Sequence, residues 1–183
     1  MSTHDHTPAA LAKMLAAQKQ AFNAAGAVDG ATRRRRIQAA IDLLVKYYKP
    51  LVAALDEDFG GRHQGFSLMN DVLGSLASLK HARDHFEPWM APEQRQPFMP
   101  YDQLGAEAWV QYQPKGSVGI IGTWNAPLFT LFAPLAYALA AGNRAILKPS
   151  EIVPRTLAHN ISPLGSNTAH CVPRSIDAPR SLK

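Results

Sequence analysis

Three polar residues in the second half of the sequence stand beside apolar runs, where their side chains could carry out chemistry. Asn125 lies in GIIGTWNAPL, residues 119–128, between one apolar run and the next. Lys148 and Glu151 lie in RAILKPSE, directly after another short apolar run. An amide donor can stabilise developing negative charge, and an ammonium and a carboxylate can bind a polar ligand. These residues need elements that bring them together.

The apolar runs predict a strand–helix–strand unit. SVGIIG, 117–122, is typical of a strand buried on both faces of a parallel sheet. The segment 128–141 is apolar all round and predicts a buried helix, bent at Pro134 and ended at Gly142. RAILK, 144–148, predicts a second buried strand. A right-handed crossover makes the two strands parallel.

Parallel strands end at the same edge of a sheet, which is where ligands of open α/β folds bind. The predicted edge collects six candidate residues: Thr123, Trp124, Asn125, Lys148, Ser150 and Glu151. Simpler readings remain open, since Asn125 could cap the helix and Lys148 with Glu151 could form a weak surface ion pair. The nearby glycines do not match the GxGxxG dinucleotide fingerprint.

The ordered motifs of this half resemble the aldehyde dehydrogenase superfamily. PKGSVGIIGTWNAPL is followed by APLAYALAAGNRAILKPSEIVPRT, so that WN-x-P, ALAAGN and LKPSE occur in the family's order within residues 114–156. The second block is most similar to the coniferyl aldehyde dehydrogenase branch. With the amphipathic helices upstream, the resemblance covers roughly residues 30–156.

The resemblance implies an α/β fold in which N-terminal helices precede the first βαβ unit of a Rossmann-like parallel sheet, as an incomplete aldehyde dehydrogenase fold. It implies NAD(P)-dependent oxidation of an aldehyde to a carboxylic acid through a cysteine thiohemiacetal, with coniferyl or another aromatic or long-chain aldehyde as substrate. Asn125 would stabilise the oxyanion. Lys148 and Glu151 would hold the adenosine ribose of the cofactor, favouring NAD over NADP, with Thr123, Trp124 and Ser150 also at the cofactor. The family further implies a homo-oligomer with an intersubunit arm near Trp109.

Upstream periodicity predicts helices and one strand. Residues 1–30 read as a disordered start, 1–10, and a short helix to Ala25; residues 31–113 read as a helical region and the arm strand. A helix from Thr32 carries an apolar stripe, is kinked or split at Pro50, and ends at Gly60–Gly61. The stripe comprises Ile37, Ile41, Leu44, Val45, Tyr48, Val52, Leu55 and Phe59.

A third helix is predicted over Ser67–Phe86, followed by an extended linker, 87–100, with four prolines. Its buried side comprises Leu68, Val72, Leu76, Leu79 and Phe86. Alternation over 108–112 predicts the arm strand. Residues 114–156 then begin the cofactor-binding domain.

Several functional classes find little support. A single cysteine excludes a disulfide framework. The sequence shows no signal peptide and no apolar run long enough for a membrane span, which predicts a cytoplasmic protein. Arg33–Arg36 point in four directions on a helix and predict a solvated helix start rather than a nucleic-acid site. His81 and His85 share a helix face but lack the glutamate of a zinc protease, so no metal site is predicted.

The segment 157–183 departs from the family pattern and is interpreted as a disordered, non-family tail from a truncated or frameshifted gene product. Cys171 does not match the context of the family's nucleophile, and no match to its general-base glutamate is found. The chain alone is therefore expected to be inactive and poorly soluble, with helix 128–141 largely uncovered. The alternative function is an inactive fragment that serves only as an oligomerisation or interaction module. A nucleic-acid binder using Arg33–Arg36 ranks third.

Overall fold

A computed structural model describes residues 8–158 and 169–171. The described helices are α1 (Pro8–Ala25), α2 (Gly30–Asp58), α3 (Gln64–Ser67), α4 (Gly74–Met90), α5 (Phe129–Ala140) and α6 (Pro154–Ala158). The described strands are β1 (Glu93–Arg95), β2 (Ala108–Val110), β3 (Ser117–Ile121), β4 (Arg144–Lys148) and β5 (Ala169–Cys171). A π-helical segment, Leu68–Leu73, joins α3 to α4, and a 3-10 turn, Tyr101–Leu104, lies between β1 and β2.

The long helix α2 begins and ends at residues whose types favour those positions. Asp29 accepts a hydrogen bond from the Thr32 backbone N–H at 2.7 Å and so caps the first turn. Gly60 follows the helix with φ +66°, where glycine carries no Cβ penalty. Most of the predicted stripe is buried, but Val45 is exposed and Leu51 is buried instead.

Pro50 was predicted to kink or split α2, and the split is wrong, because the helix is continuous from Gly30 to Asp58. Pro50 removes one backbone donor. Buried residues lie on both sides of it, with Leu44 before and Leu51 after. Packing of both halves against the same core outweighs the local cost of the proline.

The third helical region is longer than predicted and contains an irregularity that periodicity did not indicate. Helical structure runs without a break through α3, the π-helical segment and α4. The predicted linker is therefore wrong for Glu87–Met90, which belong to α4 despite Pro88. The predicted apolar side is confirmed, with Val72, Leu79 and Phe86 buried.

The strands β3, β4 and β5 form a parallel sheet in that order, as predicted for the first two. Ser117 pairs with Arg144 and Ile121 with Lys148, so β3 and β4 end at the same level. The expectation that β3 is buried on both faces is wrong: Ile120 is buried, whereas Ile121 is 75% exposed. On this face α1 contacts β3 and β4, and Gln18 of α1 accepts a hydrogen bond from the Arg144 side chain at the start of β4, so the face is exposed at Ile121 rather than along its whole length.

The last strand corrects the expectation of a wholly disordered tail. Ala145–Leu147 of β4 pair with Ala169–Cys171 of β5, so part of 157–183 belongs to the sheet. The remainder, 159–168 and 172–183, lies outside the described residues. At the other end of the chain, residues 8–10 belong to α1 rather than to a disordered start.

Helix α5 is covered by other helices, contrary to expectation. It packs against α4 and α2 on one side and β3 and β4 on the other. Its buried residues are Leu131, Phe132, Leu135, Ala136, Ala138, Leu139 and Ala140. They join those of α2 and α4 in one hydrophobic cluster. The N-terminal helices thus supply a covering layer that the βαβ pattern alone did not indicate.

The arm strand predicted over 108–112 is present but shorter, Ala108–Val110, and it has a partner. Strands β1 and β2 pair antiparallel, with Gln94 opposite Trp109. The segment between them exposes Phe98 and Leu104, 75% and 77% of their surfaces. The arm therefore presents apolar side chains to its surroundings.

Candidate functional site

The carboxyl ends of β3 and β4 bring the two predicted groups of residues to one edge. The Gly122 N–H donates to the Lys148 carbonyl at 2.9 Å, which extends the parallel pairing one step beyond β3. The loop 123–128 and the loop 149–153 therefore leave the sheet side by side. This placement was predicted from the order of strand, helix and strand.

Asn125 lies exposed in the first of these loops, with its side-chain oxygen already engaged. The Thr123 Oγ1 hydroxyl donates to Asn125 Oδ1 at 2.7 Å. Thr130 Oγ1 accepts the Thr123 N–H at 3.0 Å and donates to the Ala126 carbonyl at 2.9 Å. Among the described residues nothing accepts from the Asn125 amide nitrogen, so its N–H groups remain directed to a ligand or solvent.

The possibility that Asn125 caps α5 is not realised. The residue before the helix is Leu128, which supplies no side-chain cap. The cap comes instead from Asp71 of the π-helical segment, whose Oδ1 accepts the Leu128 N–H at 3.1 Å and the Phe129 N–H at 3.5 Å. Asp71 is fully buried. Its negative charge at a helix start is favourable.

Arg62 links this buried carboxylate to the asparagine. Its Nη2 donates to Asp71 Oδ2 at 2.8 Å, and its Nη1 donates to the Asn125 backbone carbonyl at 3.1 Å. The guanidinium lies between the Phe59 and Phe66 rings, 4.6 and 4.7 Å from their centroids. No sequence motif predicted a role for either charged residue. The available signal was a polar series on a buried helix face: Ser67, Asp71 and Ser75, spaced four apart.

Lys148, the last residue of β4, and Glu151 in the second loop form a partly exposed ion pair. Ser150 is buried, and its hydroxyl accepts the Ile152 N–H at 3.3 Å, so it supports the loop itself. Trp124 is about half exposed on the neighbouring loop. Helix α6, which follows loop 149–153, is bound by Asp58 of α2, another residue that no sequence motif indicated. Asp58 Oδ2 accepts from the Thr156 N–H at 2.7 Å, at the start of α6.

Comparison with known proteins decides the family. The sequence matches the aldehyde dehydrogenase family over residues 1–162, beyond both ends of the resemblance at 30–156. The chain belongs to the aldehyde dehydrogenase family. It is 43% identical over 148 residues to coniferyl aldehyde dehydrogenase of Pseudomonas sp., covering 81% of this chain and 30% of that protein. It is 31% identical over 147 residues to aldehyde dehydrogenase family 3 member A2 of Mus musculus, covering 75% and 28%.

The fold agrees with solved aldehyde dehydrogenase structures. The substrate-bound state of AldH from Staphylococcus aureus superimposes with a TM-score of 0.81 at 24% identity, covering 91% of this chain and 36% of that one. The α/β, Rossmann-like fold class is thereby confirmed. Aldehyde dehydrogenases are oxidoreductases that act on aldehydes and generally use NAD(P). This chain spans about 30% of the length of the Pseudomonas relative.

The four consecutive arginines of this aldehyde dehydrogenase chain do not form a common surface. Arg33 is buried and donates to the Val28 and Ala140 carbonyls, each at 2.9 Å. Burial lowers the pKa of Arg33. Burial, followed by repulsion from Arg144, lowers that of Arg36. Arg34 pairs with Glu87 at 2.7 Å. Arg35 Nη2 donates to Thr32 Oγ1 at 3.1 Å. Three of the four arginines therefore have partners within the protein, which weakens the nucleic-acid alternative.

Two further features of the described residues concern metal binding and membrane insertion. His81 and His85 stack with ring centroids 4.3 Å apart, and His85 Nδ1 contacts the His81 carbonyl at 2.8 Å. Within the described residues, no three His, Cys, Asp or Glu side chains are grouped so as to hold a metal ion. No helix in the described ranges is long and apolar enough to cross a bilayer.

Proposed function

We propose that this chain carries the oxyanion-stabilising asparagine and the cofactor-binding edge of an NAD-dependent aldehyde dehydrogenase. The observation that carries the proposal is the state of the Asn125 side chain. Its oxygen is held by Thr123 at 2.7 Å, which leaves its N–H groups available at the carboxyl edge of the sheet. A donor fixed in advance stabilises developing charge without having to reorganise during the reaction.

In this proposal Asn125 acts on the substrate oxygen. As an aldehyde carbon is attacked, its oxygen gains negative charge, and the Asn125 N–H donates to that oxygen. Thr123 prevents the amide from turning, so the donor rather than the acceptor faces the substrate. We assign neither the attacking cysteine nor the general base to a described residue. Bound NAD would accept the hydride that leaves the aldehyde carbon.

The residues of the second loop fit the ribose of such a cofactor. Glu151 offers a partly exposed carboxylate that can accept from a ribose hydroxyl, and Lys148 beside it offers donors. The same carboxylate would repel a 2′-phosphate, which favours NAD over NADP. Trp124 and Thr123 lie on the adjacent loop, and Ser150 shapes the second loop from within. We therefore propose that five residues lie on the cofactor side of the site: Thr123, Trp124, Lys148, Ser150 and Glu151. Ser150 acts indirectly, through its hydrogen bond with the Ile152 backbone N–H.

The experiment joins residues 1–162 to the corresponding remainder of the Pseudomonas coniferyl aldehyde dehydrogenase and follows NAD reduction with coniferyl aldehyde. Replacing Asn125→Ala should lower kcat about 100- to 1000-fold, as expected for one oxyanion donor. Asn23→Ala removes an exposed asparagine far from this edge and is the matched control. A kcat for Asn125→Ala equal to that of Asn23→Ala would exclude the proposed role.

The substrate assignment rests on the relative. A coniferyl aldehyde dehydrogenase is 43% identical over 148 residues, which supports an aromatic aldehyde, with long-chain aldehydes as the comparison series. Specificity is read as kcat/KM for each aldehyde in the same chimera. Higher kcat/KM for aliphatic aldehydes would contradict the aromatic assignment. The cytoplasmic location stays a prediction from composition.

The arm supports the second candidate, an interaction module that joins oligomers of intact relatives. Phe98, Leu104 and Trp109 expose apolar surface along the β1–β2 arm, and contiguous surfaces of this kind mark interaction sites. If the 183-residue chain acts in this way, it should co-purify with the intact Pseudomonas enzyme. Leu104→Asp should abolish that association, whereas Val45→Asp on α2 should leave it intact.

A further inference from the structure

We propose that Arg62 and Asp71 form a clamp that positions Asn125, so that the helical region and the local contact with Thr123 together set the oxyanion donor of this aldehyde dehydrogenase chain. The importance of the clamp for catalysis rests on the proposed function of Asn125. The positioning itself does not, because it is a property of hydrogen bonds within the chain. Arg62 and Asp71 are positioning residues, since they act through Asn125.

Asp71 uses its two oxygens for different tasks. Oδ1 accepts the N–H groups of Leu128 and Phe129 at the start of α5, and Oδ2 accepts Arg62 Nη2 at 2.8 Å. A fully buried carboxylate must be paired and hydrogen-bonded, because isolated burial of a charge is very costly. The carboxylate therefore fixes the end of the loop 123–128 and holds the guanidinium in place.

Arg62 transmits this arrangement to Asn125 itself. Its side chain is only 9% exposed, and the Phe59 and Phe66 rings on its two sides restrict rotation of the guanidinium. With Nη2 on Asp71, the planar fork directs Nη1 to the Asn125 carbonyl, 3.1 Å away. A lysine has one nitrogen and lacks this fork, so it cannot reproduce both contacts in the same geometry.

The loop is thus held at three points. Thr123 holds the Asn125 side-chain oxygen, Arg62 holds the Asn125 backbone carbonyl, and Asp71 holds the Leu128 N–H at the start of α5. The first contact is local, whereas the other two come from residues about sixty positions earlier, across the interface between the helical region and the sheet. A donor in an active site must keep its geometry closely to be useful. The clamp supplies that constraint.

The test is NMR relaxation on the full 183-residue chain, without substrate or cofactor. Arg62→Met removes both polar contacts while keeping an apolar stem between the rings. It should lower the order parameter of the Asn125 backbone amide from about 0.85 to below about 0.6. Arg62→Lys should give an intermediate value and covers the case in which Arg62→Met fails to fold.

Arg34 provides the matched control. Like Arg62, it pairs with a carboxylate, donates to a backbone carbonyl and lies over an aromatic ring, in contacts with Glu87, Arg83 and Phe86. Arg34→Met and Arg34→Lys should leave the Asn125 order parameter unchanged. An Asn125 amide as ordered in the Arg62 variants as in the parent chain would overturn the proposal. So would loosening of equal size in the Arg34 variants.

The outcomes separate the clamp from the proposed function. If the Arg62 variants loosen Asn125 but Asn125→Ala leaves kcat of the chimera unchanged, the clamp stands and the oxyanion role fails. If Asn125→Ala lowers kcat but the Arg62 variants leave Asn125 ordered, the role stands and the clamp fails. If both hold, Arg62→Lys in the chimera should lower kcat with little change in KM.

Discussion

At residue scale, the Arg33 guanidinium and Gly142 lie in contact where α5 ends. Arg33 Nη1 donates to the Ala140 carbonyl at 2.9 Å, so a positive charge meets the negative end of the helix dipole. Gly142 has φ +85°, and a Cβ built there would lie 2.9 Å from Arg33 Cζ. Glycine is therefore required both for its conformation and for the close approach of the arginine.

Gly142→Ala should destabilise the protein by more than Gly26→Ala. The left-handed backbone costs a side chain about 1–2 kcal/mol at either position. Only position 142 adds a clash with Arg33, since a Cβ at Gly26, with φ +63°, meets nothing within 4 Å. The free energy of unfolding in urea measures both variants. Equal losses would show that the contact with Arg33 costs nothing.

At element scale, three helices begin at carboxylates, and the carboxylates differ in origin. Asp29 caps α2 from the adjacent residue, accepting the Thr32 N–H at 2.7 Å. Asp71 caps α5 and Asp58 caps α6, each from a distant part of the helical region. The distant caps join the helical region to both loops of the candidate site. The starts of α5 and α6 thus depend on tertiary structure.

The cap at Asp29 should make stability depend on pH. Hydrogen bonds from the Thr32 side chain, then from its backbone N–H, lower the pKa of Asp29 below its ordinary value of 3.8. Because the folded pKa is the lower one, Asp29 stabilises the fold above about pH 4. That contribution is lost as the pH falls through the folded value.

Asp29→Asn keeps a capping oxygen but does not titrate. Its stability deficit relative to the parent chain should therefore be present at pH 7 and shrink as the pH falls below about 4. Urea unfolding at a series of pH values measures the difference, with Glu107→Gln as an exposed baseline. A deficit that does not vary with pH would argue against an ionised cap.

At the scale of the whole molecule, the two faces of the β3–β4–β5 sheet differ in how far helices cover them. One face of the sheet is covered by α5, which in turn packs against α2 and α4. The other face presents Ile121, 75% exposed, at the end of β3, although α1 contacts β3 and β4. Exposed apolar surface that continues along a sheet favours association. The exposed apolar surface that is expected to lower the solubility of the chain therefore lies at Ile121 on the sheet, and not on helix 128–141 as first predicted.

Ile121→Lys should reduce self-association of the 183-residue chain, because it places a charge at the exposed end of β3. Val45→Lys is the matched control, since Val45 is 53% exposed on α2, away from the sheet. Sedimentation velocity over a range of concentrations gives the molar mass of each variant. A parent chain that remains monomeric, or equal effects of both substitutions, would contradict this prediction.

Local sequence determined the elements and the edge of the sheet. The apolar runs of β3, α5 and β4 are recognisable by their lengths and by the polar, glycine and proline residues between them, and Gly60 and Gly142 follow helices with positive φ angles. The order of strand, helix and strand then places Asn125 and Lys148 at one edge, because right-handed crossovers leave little choice. The family follows from the same contiguous motifs.

Tertiary structure alone decided what holds that edge in place. Pro50 and Pro88 stay inside helices because buried neighbours offset their local cost, and β5 joins the sheet although its sequence shows no strand period. The contacts of Asp71 and Arg62 with the Asn125 loop span long distances along the chain. No spacing rule encodes them, since they depend on how the helical region packs against α5. The sequence thus determined which groups are present, and packing decided how they are oriented.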